Sequence, residues 1–373
     1  MVYFDNAATG GFKPRASLEA AETVMKYLCA NPGRSGHRLS VTGERIIYGA
    51  REVFSKEFSC ETDRVIFTKN CTEALNLAIF GTLKVGGHVI TTVYEHNSVL
   101  RPLFALKERG LIGLDVVTPS ENQTVADAIK ERITEKTYLV ITTAISNVTG
   151  KVLPVERIGG MLKSRGIKYL LDGAQGGGHV KLSLSDNIDM IALAGHKGLN
   201  GIMGSGVLVF DKDIEIEPLL YGGTGTESFN PSMPAAYPER LEAGTLNLPA
   251  IASLKEGADY AFKNLKDFSE NLIFSTEKII SRLSENENVV VYSEPNPAGI
   301  VAFSVKNLSS AEVADILNEE YDIAVRSGLH CAPLYHKFLG TEEGGLVRVS
   351  LAVQNSSREI EHFLKAVEKI SLN

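Results

Sequence analysis

The chain has 373 residues, 44% hydrophobic and 22% charged, with a net charge of −7, so it is long enough for two or three structural units and needs no disulfide or metal staple to fold. The slight acidic excess and the lack of any run of five or more like charges exclude the basic footprint that nucleic acid or an anionic membrane surface demands, which leaves small molecules and other proteins as partners. Four cysteines, Cys29, Cys60, Cys71 and Cys331, without a CxxC pair fit the reduced thiols of a cytoplasmic protein better than a secreted disulfide framework.

The chain opens MVYFDNAATGG, with an acid at Asp5 and no apolar signal segment, and no later stretch approaches 18 uninterrupted apolar residues, so neither export nor a membrane span is expected. Short β-branched runs then alternate with helical stretches: strand 65–68 and helix 72–80, strand 88–92 and helix 98–109, strand 138–144 and helix 155–165, then strands 169–172, 190–194 and 207–210. This spacing predicts right-handed βαβ crossovers, and the continuous apolar strands predict a doubly wound, mostly parallel sheet covered on both faces. A Gly/Pro/Ser-rich passage at 221–249 predicts a long irregular connection. Beyond it, helices at 251–266 and 270–284, strands at 289–292 and 300–305, a helix at 311–320 and a closing helix at 357–370 predict a smaller α/β domain. Cys29 and Cys60 fall in or near helices and read as packing residues.

In open parallel sheets ligands sit beyond the carboxyl ends of the strands, so the residues that follow each strand are the candidates for chemistry. After 65–68 comes Lys69-Asn70-Cys71-Thr72-Glu73, where Asn70 can cap a helix and Glu73 can complete a capping box. The same helix N-terminus, with the Thr72 hydroxyl, can hold a phosphate. After 169–171 comes Asp172-Gly173-Ala174-Gln175, which is either a binding carboxylate or a loop acid capping nearby backbone. Neither GxGxxG nor GxxxxGK[ST] occurs, although Gly176-Gly177-Gly178 follows. The strand 190–194 runs into Gly195-His196-Lys197-Gly198. Most lysines are solvated surface groups, but one that directly follows an apolar strand has a protein-enclosed stem and a depressed amine pKa, and a desolvated lysine is a Schiff-base nucleophile. In the smaller domain, Arg326-Ser327-Gly328-Leu329-His330-Cys331-Ala332-Pro333 sets a cysteine in a loop beside a histidine and an arginine; it is either a small packing residue or a reactive thiol favoured by basic neighbours. A metal set of His330, Cys331 and His336 lacks finger spacing and a fourth ligand, and no metal is expected.

A lysine after one strand, an acid after a second and a phosphate-type cap after a third match the aldehyde, pyridinium nitrogen and phosphate of pyridoxal 5′-phosphate. With FDNAATG, NCTEALN, EHNSVLRPL, SNVTGKVLPV, LLDGAQ, AGHKGLNG, LEAGTLN, RSGLHCAPL and VRVSLAVQNS, the sequence resembles the class V aminotransferase superfamily of fold-type I pyridoxal phosphate enzymes nearly end to end. Within it the likeness is to the cysteine desulfurase and selenocysteine lyase family, closest to the group II pattern. The resemblance implies a large cofactor-binding domain over 15–249 and a small domain of 1–14 plus 250–373. It implies that Lys197 bonds the cofactor aldehyde, Asp172 pairs with the ring nitrogen, His96 stacks on the ring, and Gln175 and Asn147 attend its phenolic oxygen. Cys71, Thr72 and His196, with Thr245 from the facing subunit of a homodimer, would surround the phosphate. Arg348, assisted by Arg326 and Asn147, would bind the substrate carboxylate. Cys331 would take sulfur from L-cysteine as a persulfide and pass it to an acceptor protein, leaving L-alanine.

Three departures from the family pattern stand out. The chain reads CAPL where group II has one more residue between alanine and proline, so the cysteine loop is short and the acceptor is expected to reach into the site. Ala194 stands where a serine often donates to the phosphate, and Cys71 where a small or hydroxyl residue is common, with Gly223-Thr224-Gly225 as a possible compensating segment. The alternatives are a selenocysteine lyase or another C–S lyase with the same cofactor, and a binding protein on the same fold.

Overall fold

The computed structural model describes residues 1–28 and 30–372. The packing expectation for Cys29 lies outside the described residues. A short strand β1 (Val2–Tyr3) and helices α1 (Arg15–Tyr27) and α2 (Arg38–Phe58) precede the central sheet. That sheet comprises β2 (Val65–Thr68), β3 (Gly87–Thr92), β4 (Ile112–Val117), β5 (Thr137–Thr143), β6 (Lys168–Asp172), β7 (Met190–Ala194) and β8 (Gly206–Phe210). Its order is β2-β8-β7-β6-β5-β3-β4, and only β8 runs antiparallel to its neighbours. Helices α3 (Cys71–Gly81), α4 (Asn97–Glu108), α5 (Val125–Arg132) and α6 (Val155–Lys163) make the crossovers.

The side chains of β7 show why the strands read as unbroken apolar runs. Met190, Ala192 and Ala194 pack on the α3 and α4 side, whereas Ile191 and Leu193 pack on the opposite side with α2, α6 and a later helix, so both faces of the strand are dry. That later helix, α7 (Leu248–Lys263), lies against α1 and α2. The remaining chain forms α8 (Leu265–Ser284), β9 (Val289–Val291), β10 (Ile300–Val305), α9 (Ser310–Tyr321), β11 (Ile323–Ala324), α10 (Pro333–Leu339), β12 (Val347–Ser350) and α11 (Ser357–Ile370). Strands β12, β10 and β9 make an antiparallel sheet with a core of its own, to which α8, α9 and α11 contribute. Strand β1 pairs in parallel with β11, and Asp5 bridges to Ser350, so the N-terminal residues are stitched to the C-terminal sheet. No helix among the described residues is long and apolar enough to cross a membrane.

Each strand and helix expected from the sequence is present within a few residues of its expected bounds, and the α/β, mostly parallel architecture is as expected. Helices α1, α2, α5 and α10 and strands β1, β4, β11 and β12 carry weaker signals. Strand β4 is an edge strand with one neighbour, and Gly113 and Asp115 interrupt its apolar run. The irregular passage is longer than expected, with no helix or strand between Phe210 and Leu248. It is pinned by a buried ion pair: Glu242 accepts from Arg51 Nη2 at 2.5 Å and from the Phe67 N–H at 2.7 Å, while Arg51 Nη1 donates to the Val65 carbonyl. Burial raises the Glu242 carboxyl despite Arg51 beside it. Removing one partner of such a pair strands the other in a dry site, so Arg51→Leu is expected to cost about 3 kcal/mol of stability in denaturant unfolding, far more than the loss of an exposed pair such as Arg15 and Glu19.

Candidate active site

The carboxyl ends of β2, β3, β5, β6 and β7 open onto one cleft of about 500 Å³. Cys71, Thr72, His96, Asn147, Asp172, Gln175, His196 and Lys197 all line it, so the strand-end residues singled out in the sequence are brought together. Cys331, Arg326, Arg348 and Thr245 do not line it.

Lys197 enters on a tight turn after β7. A Cβ on Gly195 would fall 2.2 Å from Ser205 Oγ, and one on Gly198 would fall 2.4 Å from the Gly177 carbonyl, so the glycines around Lys197 and the 176–178 run exist for close backbone approach. Burial lowers the Lys197 amine, and the charge of Asp172 opposes that shift. Asp172, 2% exposed at the end of β6, is raised by burial and restrained by hydrogen bonds to Oδ1 from the Ala174 N–H (2.9 Å) and the Cys71 thiol (3.6 Å). Burial holds the Cys71 thiol well above its ordinary value, which keeps it a donor.

The helix cap differs in detail from expectation. Asn70 accepts from the Glu73 N–H at 2.9 Å, but the Glu73 carboxylate accepts from the Lys69 N–H one residue before the cap, so no reciprocal box closes on Asn70. The Asn70 N–H is thereby left out of a capping interaction, and Thr72 is exposed at the cleft. His96 caps α4, its Nδ1 accepting from the Ser98 N–H at 3.0 Å. Burial, with Lys197 and three arginines nearby, pushes His96 down to about 4, so its ring is a neutral imidazole. His196 is likewise pushed to about 4 by burial and by Lys197, and its Nδ1 meets Thr9 Oγ1 at 3.0 Å. Gln175 donates from Nε2 to the Ala7 carbonyl at 2.9 Å, while its Oε1 is buried with no partner.

Asn147 joins this cleft to the C-terminal sheet. Its Nδ2 donates to the His330 carbonyl (2.7 Å), and its carbonyl accepts from Arg348 Nη1 (2.9 Å). Arg348, 1% exposed on β12, also donates from Nη2 to Asp5 Oδ1 at 2.8 Å, and its Nε is buried without a partner. Arg326 faces Arg348 across an antiparallel bridge, and its half-buried guanidinium has no hydrogen bond or ion pair among the described residues.

One expectation about the cysteine loop needs correction. His330 does not supply positive charge to Cys331: its ring is 3% exposed, stacks on His336 with centroids 5.6 Å apart, and is pushed down to about 2 by burial and by the Arg348 charge. Cys331 itself is exposed, so His330, Cys331 and His336 do not converge as a ligand set, and among the described residues no cluster suits a metal. Both His330 (φ +49°) and Cys331 (φ +56°) are left-handed, which is rare outside glycine and turns the thiol outward just before α10. Thr245 and Gly223-Thr224-Gly225 lie in separate clefts of this chain: Thr245 is beside Thr68 and Glu73, and the glycine segment is beside Arg34. Within this chain neither lines the cleft that holds Ala194. Cys60 is half-buried just after α2, pushed up to about 12 by burial, as a packing thiol should be.

Three contributors escape the strand-end rule. Asp5 was legible only as an acid in an N-terminal run; Glu95 precedes His96 and is fully buried. Lys13 donates to the His196 carbonyl at 2.8 Å, and burial pushes its amine down to about 8.

Residues 2–363 match the family model for class-V aminotransferases, and the chain belongs to that family. Within the family, its relatives include proteins named as probable cysteine desulfurases. That of Methanothermobacter thermautotrophicus is 34% identical, covering 99% of this chain and 94% of the relative, and that of Pyrococcus abyssi is 33% identical with the same coverage. The apo structure of a cysteine desulfurase from Thermococcus onnurineus NA1 superposes with a TM-score of 0.91 at 30% identity, over 100% of this chain and 94% of that one.

Depressed amines react first with carbonyl reagents, because only the neutral form is a nucleophile. At pH 7 an amine at about 8 is neutral roughly a hundredfold more often than an ordinary lysine. Limited reductive methylation of the cofactor-free protein should therefore label Lys13 and Lys197 before exposed lysines such as Lys266, as read by peptide mass spectrometry. Labelling in order of exposure alone would contradict the lowered basicity of these amines.

Proposed function

We propose that the protein is a pyridoxal 5′-phosphate-dependent cysteine desulfurase, which converts L-cysteine to L-alanine and receives the sulfur on Cys331. The observation that carries the cofactor is the juxtaposition of a buried lysine and a buried aspartate in one cleft, with a polar atom of the same lining, Gln175 Oε1, left unpaired beside them. Buried polar groups are ordinarily satisfied, so an orphan in the lining fits a polar ligand that completes it. Lys197 would hold the aldehyde, Asp172 the ring nitrogen and the neutral His96 a ring face. Thr72, His196 and the free N–H groups at the start of α3 would hold the phosphate. The bound cofactor supplies an electron-withdrawing ring that weakens bonds to the substrate's α- and β-carbons.

The chain's own residues do the rest. The Lys197 amine, lowered by burial, can take up and return a proton. Arg348 keeps Nε free while Asp5 and the Asn147 carbonyl fix the rest of its fork, and the unpaired Arg326 adds a second cation for the substrate carboxylate. In the overall reaction the Cβ–Sγ bond of cysteine breaks and a bond forms between its sulfur and Cys331 Sγ. The electron pair of the broken bond stays on carbon, which gains a proton to give alanine. The persulfide is then open to thiol exchange with an acceptor protein. A homodimer that brings Thr245 to the facing subunit's phosphate, the division into 15–249 and 1–14 plus 250–373, and a cytoplasmic location belong to the same proposal.

One observation favours a second reading, a selenocysteine or other C–S lyase: Cys331 stands outside the cleft lining without a cationic histidine. Cys331→Ala separates the two. For a desulfurase this variant should release little alanine from L-cysteine yet keep appreciable turnover of L-selenocysteine, and one added sulfur should appear on the wild-type Cys331 peptide. Full cysteine turnover by the variant, with no adduct, would leave the lyase. Borohydride should fix the cofactor to Lys197, and protein that stays colourless and unlabelled with added cofactor removes both readings. Arg348→Lys replaces a two-pronged donor by a point charge and should raise KM for cysteine about ten- to a hundredfold, or roughly 1.5–3 kcal/mol, with the cofactor retained.

A further inference from the structure

Directly after β3 and before the α4 cap, the chain buries a second carboxyl that the proposed chemistry does not use. Glu95 is 0% exposed. Its Oε1 accepts from Thr92 Oγ1 at 2.5 Å, and that hydroxyl also accepts from the Tyr94 N–H at 3.2 Å. Its Oε2 is buried with no partner. The groups that face it from neighbouring strands are the Thr143 backbone of β5, and Asp172 and Tyr169 of β6. Asp172 carries no positive charge, and the Tyr169 hydroxyl is engaged with Thr142 Oγ1 at 2.6 Å. No lysine, arginine or histidine forms an ion pair or hydrogen bond with Glu95 among the described residues. A carboxylate here would leave one oxygen dry and unpaired, and the charge of Asp172 would disfavour it further.

We propose that Glu95 acts as a neutral carboxylic acid beneath the cofactor cleft, a positioning residue that keeps Asp172 the only carboxylate behind the ring. Burial raises Glu95 to about 8, in keeping with that geometry. The neutral acid packs the end of β3 against β5 and β6 and steadies the turn that delivers His96. With Glu95 neutral, Asp172 would be the carboxylate that pairs with the ring nitrogen of a bound cofactor. This consequence rests on the pyridoxal phosphate reading, whereas the protonation of Glu95 is a property of the bare protein.

The sign of the pH effect follows from linkage. Unfolded Glu95 ionises above its ordinary 4.5, while the folded form keeps its proton to about 8. The folded protein therefore binds the extra proton between these values, and stability falls as pH rises through that window, then levels off. Relative to Glu95→Gln, the unfolding constant of cofactor-free wild type should rise about tenfold per pH unit from about pH 5 to pH 8 and stay constant above. Parallel curves would overturn the proposal. At pH 7 the Gln variant, neutral at every pH, should bind pyridoxal phosphate within about twofold of wild type, and a loss of tenfold or more would mean that Glu95 acts as an anion. Should the variant not fold, infrared spectra of wild type decide. A protonated-carboxyl band that shifts with ¹³C-glutamate labelling should be present at pH 7 and gone by about pH 9.5, and its absence at pH 7 would overturn the proposal. Failure of both proteins to bind pyridoxal phosphate would count against the cofactor reading alone, since the titration is read without it.

Discussion

The cleft depends on ionisable groups being held where water cannot serve them. A parallel sheet collects the carboxyl ends of β2, β3, β5, β6 and β7 at one edge, and both faces of these strands are covered. Lys197 and Asp172 are therefore fixed in a medium that disfavours either charge: burial lowers the amine and raises the carboxyl, and their mutual attraction opposes both shifts. Neither group can relax outward, because the turn after β7 is locked by glycines whose added Cβ atoms would strike Ser205 and Gly177. Such a site is poised for a ligand that brings its own charges.

The N-terminal residues carry this constraint to the other sheet. Asp5 holds Arg348, Asn6 donates to the Ser350 carbonyl, Ala7 accepts from Gln175, Thr9 meets His196, and Gly10 and Lys13 both donate to the His196 carbonyl. Within nine residues one segment touches the arginine of β12 and the loop of Lys197. Each neutral hydrogen bond contributes only about 1 kcal/mol, but together they fix the spacing between the two cations without a rigid element between them. The parallel pairing of β1 with β11 anchors the start of the segment.

This segment also marks where reading from sequence runs out. The strand-end residues were legible because each lies within a few positions of an apolar run whose type was plain, as Asp172 does after β6 and Lys197 after β7. Asp5 and Arg348 are 343 positions apart, and no local pattern ties an acid at one end of a chain to a base at the other. Glu95 was hidden for a different reason: a glutamate beside a histidine reads as a surface pair until burial removes the water from both. His330 misled because it stands next to Cys331 in sequence, whereas its ring turns inward to His336. The resemblance of FDNAATG to a family supplied the segment's presence but not its work.

The cysteine loop shows what a short connection does to chemistry at its tip. Two of its carbonyls are tied to residues at the cleft: that of His330 accepts from Asn147, and that of Cys331 accepts from the Asn97 N–H beside His96. On its far side the chain enters α10 within two residues, at Pro333. Anchored on both sides and set in two consecutive left-handed residues, Cys331 has little backbone freedom with which to swing. Breaking the two carbonyl contacts to let the loop travel would cost about 1–3 kcal/mol before any new contact formed. Side-chain rotation costs far less, since the Cys331 thiol is exposed and needs only a χ1 change to alter its aim. Under the proposed chemistry, the sulfur of bound cysteine must therefore be brought toward this fixed rim, and an acceptor must come to the same rim from outside.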